Sequence, residues 1–142
     1  MNRIVSQLDK SYKLMEKRNW DTLYISVDIH DTILESTYST EISKVPFRFA
    51  LETLQLLSKR KEIVLILWTC SKKEDTTEYV KYFSENNINF KYVNSNPEVQ
   101  DRSYADYSEK FYANLILDDK AGFSALEDWE ELFRYLENKY KV

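Results

Sequence analysis

The chain has 142 residues, 43% of them hydrophobic and 31% charged, with a formal net charge of −4. That length accommodates one domain, since domains most often run to about 100–150 residues, and the composition is globular rather than disordered. The acidic balance gives no basic field for a nucleic-acid backbone or an anionic membrane surface, so any phosphate site must be local.

Ile4, Val5, Leu8, Tyr12 and Met15 recur at helical spacing, so residues 4–18 read as an amphipathic helix. Leu23 to Val27 is a short apolar run ending at Asp28, the pattern of a buried strand. Residues 35–45 are rich in hydroxyls and lack a helical period, which suits a loop or short hairpin. Pro46 suits the first turn of a helix carrying Phe47, Ala50, Leu51, Leu54 and Leu57 on one face. Ile63 to Trp68 is an unbroken apolar strand ending at Thr69, and Glu74 to Ser84 has Tyr79, Val80 and Phe83 at helical spacing. Asn86 and Asn87 can make the left-handed turn that ends this helix. Ile88 to Val93 reads as a third strand, Asn94 to Asp106 as a long polar connection, and Tyr112 to Leu117 as a fourth strand ending at Asp118. Ser124 and Glu127 have capping-box spacing before a closing helix with Leu126, Trp129, Leu132, Phe133 and Leu136. Alternating strands and helices predict an α/β fold with a mainly parallel sheet and right-handed crossovers.

The only glycine is Gly122, and the only prolines are Pro46 and Pro97. Glycine-rich nucleotide cradles are thereby excluded, and phosphate must be handled by side chains. The single cysteine, Cys70, excludes an intrachain disulfide; with no second histidine to activate it, it reads as a buried structural thiol. The first twenty residues are charged throughout, and no stretch approaches the roughly 18 apolar residues of a spanning helix. A cytoplasmic protein without membrane contact is the expectation.

Ligands of open parallel sheets bind beyond the carboxyl ends of the strands, and three of the four expected strands end in polar residues: Asp28, Thr69 and the pair Asp118-Asp119. Each alone is commonly a cap or turn residue; their joint placement points to a site. Clustered carboxylates repel unless a cation joins them, and Mg²⁺ prefers one or two carboxylates completed by water and substrate phosphate. Lys110, ahead of the fourth strand, can reach the same rim as a point charge. Trp68 reads as core, and Asn94 and Asn96 read equally as site rim or as turn residues. The eleven tyrosines and seven phenylalanines read as packing, because no basic groove accompanies them.

The segment Val27-Asp28-Ile29-His30-Asp31-Thr32 resembles the first motif of the haloacid dehalogenase superfamily, Asp-x-Asp-x-Thr after a hydrophobic strand. Leu65 to Thr69 resembles its second motif, Lys110 stands where the third-motif lysine is expected, and Leu115 to Asp119 resembles the acidic fourth motif. Trp68-Thr69-Cys70 with Val93 to Asn96 resembles, more narrowly, small bacterial and phage hydrolases of this superfamily. The resemblance spans about residues 22–125. It implies a Rossmann-like three-layer α/β/α domain over 1–142, with an N-terminal helix in 1–20, a C-terminal helix in 124–140 and a hairpin flap at 34–45. Neither interval that could host a large cap has room for one, so a capless member is implied.

The resemblance further implies a Mg²⁺-dependent phosphohydrolase acting on a phosphomonoester. Asp28 would be the nucleophile, Thr69 would bind the phosphoryl group, and Lys110 would neutralise it. Asp28, Asp118, Asp119 and the backbone carbonyl of His30 would hold the metal. A small phosphorylated substrate is favoured over a nucleic-acid end. The chain departs from the pattern at His30, which stands where the family's acid/base aspartate would be. Three readings are open: His30 takes over proton transfer; the step is lost and the domain binds metal, phosphorylated ligand or a protein partner without turnover; or the imidazole is an extra ligand for a softer metal such as Mn²⁺ or Zn²⁺.

Overall fold

Asn2 opens the first helix, α1 (Arg3–Arg18), by accepting from the Ile4 and Val5 amides at 2.9 and 3.1 Å. These are donors that a helix start leaves without partners. Asn19, in the left-handed region at φ 56°, closes the helix behind Lys17 and Arg18. The computed structural model describes residues 1–37, 41–99, 105–107 and 109–140. Parts of the expected flap (38–40) and of the polar connection (100–104) therefore lie outside the described residues.

The fold is α/β, Rossmann-like and three-layered around a four-stranded, wholly parallel sheet of order β3-β2-β1-β4. The strands are β1 (Leu23–Asp28), β2 (Ile63–Trp68), β3 (Phe90–Val93) and β4 (Leu115–Leu117). Between and after them come α2 (Ala50–Ser58), α3 (Lys73–Glu85) and α4 (Asp128–Tyr140). Side-chain alternation divides the sheet into two faces. Leu23, Ile25 and Val27 of β1 join Leu65, Leu67, Leu115 and Leu117 in one buried cluster with Leu8, Leu54, Phe83 and Trp129 from the four helices. Tyr24, Ser26, Trp68 and Ile116 take the other face, which the connection from β3 to β4 crosses: Tyr112 meets Tyr24 edge-on at 6.2 Å, and Phe111 meets Trp68 at 5.4 Å. A right-handed return from β3 to the far edge requires that side. Among the described residues the connection contains no helix.

Four expectations need correction. Pro46 does not start a helix. It bridges antiparallel to Leu34, flanked by Glu35 N to Val45 O and Phe47 N to Ile33 O, both 2.9 Å. The extended bias that proline imposes on Val45 favours this pairing at the base of the flap. Helix α2 begins only after Phe49, left-handed at φ 67° and packed on Phe133 at 5.0 Å. Strand β4 is shorter than expected, because Asn114 takes over the ladder with its side chain: its amide donates to Tyr24 O at 2.7 Å while its Oδ1 accepts from Tyr24 N at 2.8 Å. Strand β3 likewise starts at Phe90, leaving Ile88 buried outside it. At α4 the carboxylate that reaches back to the Ser124 amide is that of Asp128, at 2.7 Å, not that of Glu127; Asn2 ties its second oxygen down at 2.8 Å.

Candidate functional site at the carboxyl edge of the sheet

Val27 pairs with Leu117 in register, so the residues that follow, Asp28 and Asp118, leave the sheet side by side. Asp118 turns the chain into a short 3₁₀ segment, Asp119–Ala121, by accepting from Lys120 N at 2.9 Å. The chain's one glycine, Gly122 at φ 97°, ends that turn, where a side chain would be strained. Carboxylate oxygens of Asp28, Asp118 and Asp119 thereby lie within 4.8 Å of one another. Burial, then the charge of Asp118 and the hydrogen bond with Asp119, push the Asp28 carboxyl up to about 7. No lysine or arginine forms an ion pair with the three carboxylates among the described residues. The three oxygens are close enough to be shared by one hard cation, whose octahedral shell spans roughly 4 Å.

Thr32 organises the group, a role that its position in the first motif leaves hidden. Its fully buried hydroxyl accepts from Asp119 N at 3.1 Å and lies 3.3 Å from Asp28 Oδ2 and 3.4 Å from Asp119 Oδ1. Its carbonyl accepts from the indole of Trp129 at 2.7 Å, anchoring the turn to α4.

The other expected site residues are dispersed around this centre. Nε2 of His30 is 2.9 Å from the Tyr79 hydroxyl of α3, and the two rings meet edge-on at 5.6 Å. Its nitrogens are not among the clustered ligand atoms, and the ring is turned toward α3. The His30 carbonyl carries no backbone hydrogen bond among the described residues. Thr69 is buried and shares its hydroxyl with Ser71 Oγ at 2.9 Å. Asn94, left-handed at φ 55°, clamps Thr69 through Thr69 N to Oδ1 and Nδ2 to Thr69 O, both 2.8 Å, so its role is that of a turn residue. Asn96 is buried and ties the connection together by donating to Tyr112 O at 2.9 Å. Lys110 is exposed and lines a cleft on the second sheet face rather than meeting the carboxylates. Two residues read as buried are not: Cys70 is exposed, and Trp68 retains 43% of its surface.

No protein-family model and no curated protein matches this chain. Among solved structures it is similar to a conserved protein coded by a locus from Bacteroides thetaiotaomicron, with a TM-score of 0.63 and 28% identity over 83% of this chain and 92% of that one. No described helix is long and apolar enough to cross a membrane. Chemically, the edge offers a half-buried carboxylate as nucleophile or ligand, two further carboxylates beside it, and a hydroxyl that fixes their spacing.

Proposed function

We propose that the chain is a capless, Mg²⁺-dependent phosphomonoesterase working through an aspartyl-phosphate on Asp28, the activity implied by its resemblance to the haloacid dehalogenase superfamily. The observation that carries this reading is the convergence of Asp28, Asp118 and Asp119 oxygens within 4.8 Å at the ligand-binding edge of a parallel sheet. Bound there, Mg²⁺ would neutralise charge on carboxylates and phosphoryl oxygens. The resemblance assigns the His30 carbonyl to the same shell.

An Asp28 oxygen attacks phosphorus and the bond from phosphorus to the leaving oxygen breaks; the leaving oxygen departs as the anion and takes its proton from solvent water. Water then attacks phosphorus and releases Asp28 and inorganic phosphate. Asp28 must be ionised to attack, and a cation that offsets Asp118 and Asp119 favours that state. Thr69 lies at the adjacent strand end, with its hydroxyl oriented by Ser71.

A second reading, a domain that binds metal and a phosphorylated ligand without appreciable turnover, draws support from His30: its Nε2 is engaged by Tyr79. Thermal unfolding with Mg²⁺, with beryllium fluoride and with both separates the readings from no site at all. A nucleophilic site is stabilised most by the pair together, and Asp28→Asn abolishes that gain. Turnover of phosphomonoesters by wild type and not by Asp28→Asn then decides for the enzyme. Phosphatase activity unchanged in Asp28→Asn would overturn it.

A further inference from the structure

On the second face of the sheet, Ser26, Trp68, Lys110, Phe111 and Ile116 line a cleft of about 300 Å³. Trp68 is in register with Asp28 on the neighbouring strand, so the cleft begins one strand spacing, about 4.8 Å, from the backbone of the proposed nucleophile. From there it runs down the face over Ser26 and Ile116, which are register partners across β1 and the edge strand β4. Trp68 and Ile116 keep 43% and 46% of their surfaces exposed. Phe111 approaches the indole from one side at 5.4 Å and 58°, leaving the cleft bounded by two aromatic rings and an aliphatic floor.

We infer that this cleft is the leaving-group subsite, and that the substrates are phosphomonoesters whose alcohol carries a flat aromatic ring. The inference rests on the phosphatase reading above and adds the substrate class. A volume of this size is at the small end of ligand pockets and suits one or two fused rings rather than a folded partner. Stacking on Trp68 and Phe111 recognises a ring by its face, which is tolerant of substituents. Lys110 and Glu109 give the lining one charge of each sign, and Ser26 adds a hydroxyl. Such a subsite would give a chain without a large cap its substrate selection, on a sheet face where Trp68 and Ile116 stay partly exposed.

Non-hydrolysable phosphonates test this apart from turnover. Calorimetric titration in Mg²⁺ compares methylphosphonate, cyclohexylmethylphosphonate and naphthylmethylphosphonate. The aromatic ligand is expected to bind about tenfold more tightly than methylphosphonate. Trp68→Ala should erase that preference without changing methylphosphonate affinity, and Trp68→Phe should restore most of it. Phe111→Ala serves as the second variant and should weaken the naphthyl compound selectively. Equal binding of all three ligands by wild type, or a preference that survives both alanine variants, overturns the aromatic subsite alone. A preference for cyclohexyl equal to that for naphthyl also overturns it, in favour of a merely greasy cleft. A protein that binds none of the three overturns the phosphate site and this subsite with it.

Discussion

The Asp119 amide donates to the Thr32 hydroxyl at 3.1 Å, and this bond fastens the turn after β1 to the turn after β4. A hydroxyl has one proton, so Thr32 can donate to only one of its two carboxylate neighbours, Asp28 at 3.3 Å or Asp119 at 3.4 Å. The two acids therefore share one donor, a competition that a cation between them would relieve. The Trp129 bond to the Thr32 carbonyl extends the restraint to α4, so three chain-distant elements define the spacing of the acidic cluster.

Thr32→Val keeps the shape and deletes the hydroxyl, stranding the Asp119 amide. Loss of a buried partner costs about 1–3 kcal/mol, to be read as a lower urea midpoint. Because groups that orient metal ligands typically affect affinity by about 10–100-fold, Mg²⁺ binding should weaken by that order. Wild-type Mg²⁺ affinity by calorimetry in the folded variant would refute the positioning role.

The raised Asp28 carboxyl makes a prediction for the metal-free protein. Its folded value is about 7, against about 3.9 for an unperturbed aspartate. Between those values the native state holds a proton that the unfolded chain has released. This contribution to stability is fully present below the lower value and lost as pH climbs through the upper one. In EDTA, urea midpoints of wild type should thus fall between about pH 4 and 7 relative to Asp28→Asn, in which the titrating group is gone. Mg²⁺ should restore wild type above that window and leave the variant unchanged. Parallel pH profiles for the two proteins would show that Asp28 is not so perturbed.

Strands β1 and β2 were legible because apolar runs, interrupted in β1 only by Ser26, end abruptly at Asp28 and Thr69, and the acidic edge followed from which residues come next. Apart from the local cap of α4, where Asp128 rather than Glu127 reaches Ser124, the misread elements depend on partners distant in the chain. Pro46 reads as a helix start until Leu34 is seen to need an antiparallel neighbour. Tyr112 to Leu117 looks like one strand, yet Asn114 substitutes its side chain for the ladder. The run ending at Trp68 does not reveal that this ring stays 43% exposed with Phe111 of the connection beside it. His30 takes its direction from Tyr79, on a different helix. Thr32 was visible within the first motif, but its three contacts become evident only when β1 and β4 are brought together.

Under the proposed mechanism, a histidine rather than a carboxylate at position 30 has a kinetic signature. Without an efficient proton donor, turnover should depend steeply on the basicity of the leaving alcohol. A series of substituted phenyl phosphates tests this while holding ring stacking constant. The nitrophenyl ester should outpace the least acidic phenol strongly, up to the ~10²–10⁴-fold that general acid catalysis commonly contributes. His30→Asp should flatten the dependence and raise turnover on the poorest leaving groups, while losing the bond to Tyr79. A flat dependence in wild type would indicate that His30 or another group already protonates the leaving oxygen.

Asn94 tests whether the strand-end clamp is structural. Its side chain accepts from the Thr69 amide and donates to the Thr69 carbonyl, while its own backbone sits at φ 55°. Asparagine tolerates that region better than other side-chain-bearing residues. Asn94→Gly keeps the backbone conformation and removes only the clamp; Asn94→Ala adds left-handed strain of roughly 1–2 kcal/mol. Glycine should therefore lose about 1–3 kcal/mol from the two hydrogen bonds, and alanine about 1 kcal/mol or more beyond that. Both losses are measurable by urea denaturation. Because the clamp acts on the backbone of Thr69 and not on the acidic cluster, Mg²⁺ affinity of the glycine variant should stay at the wild-type level while phosphate-analogue binding weakens. Equal stability of both variants and wild type would mean that Thr69 is held by the strand alone.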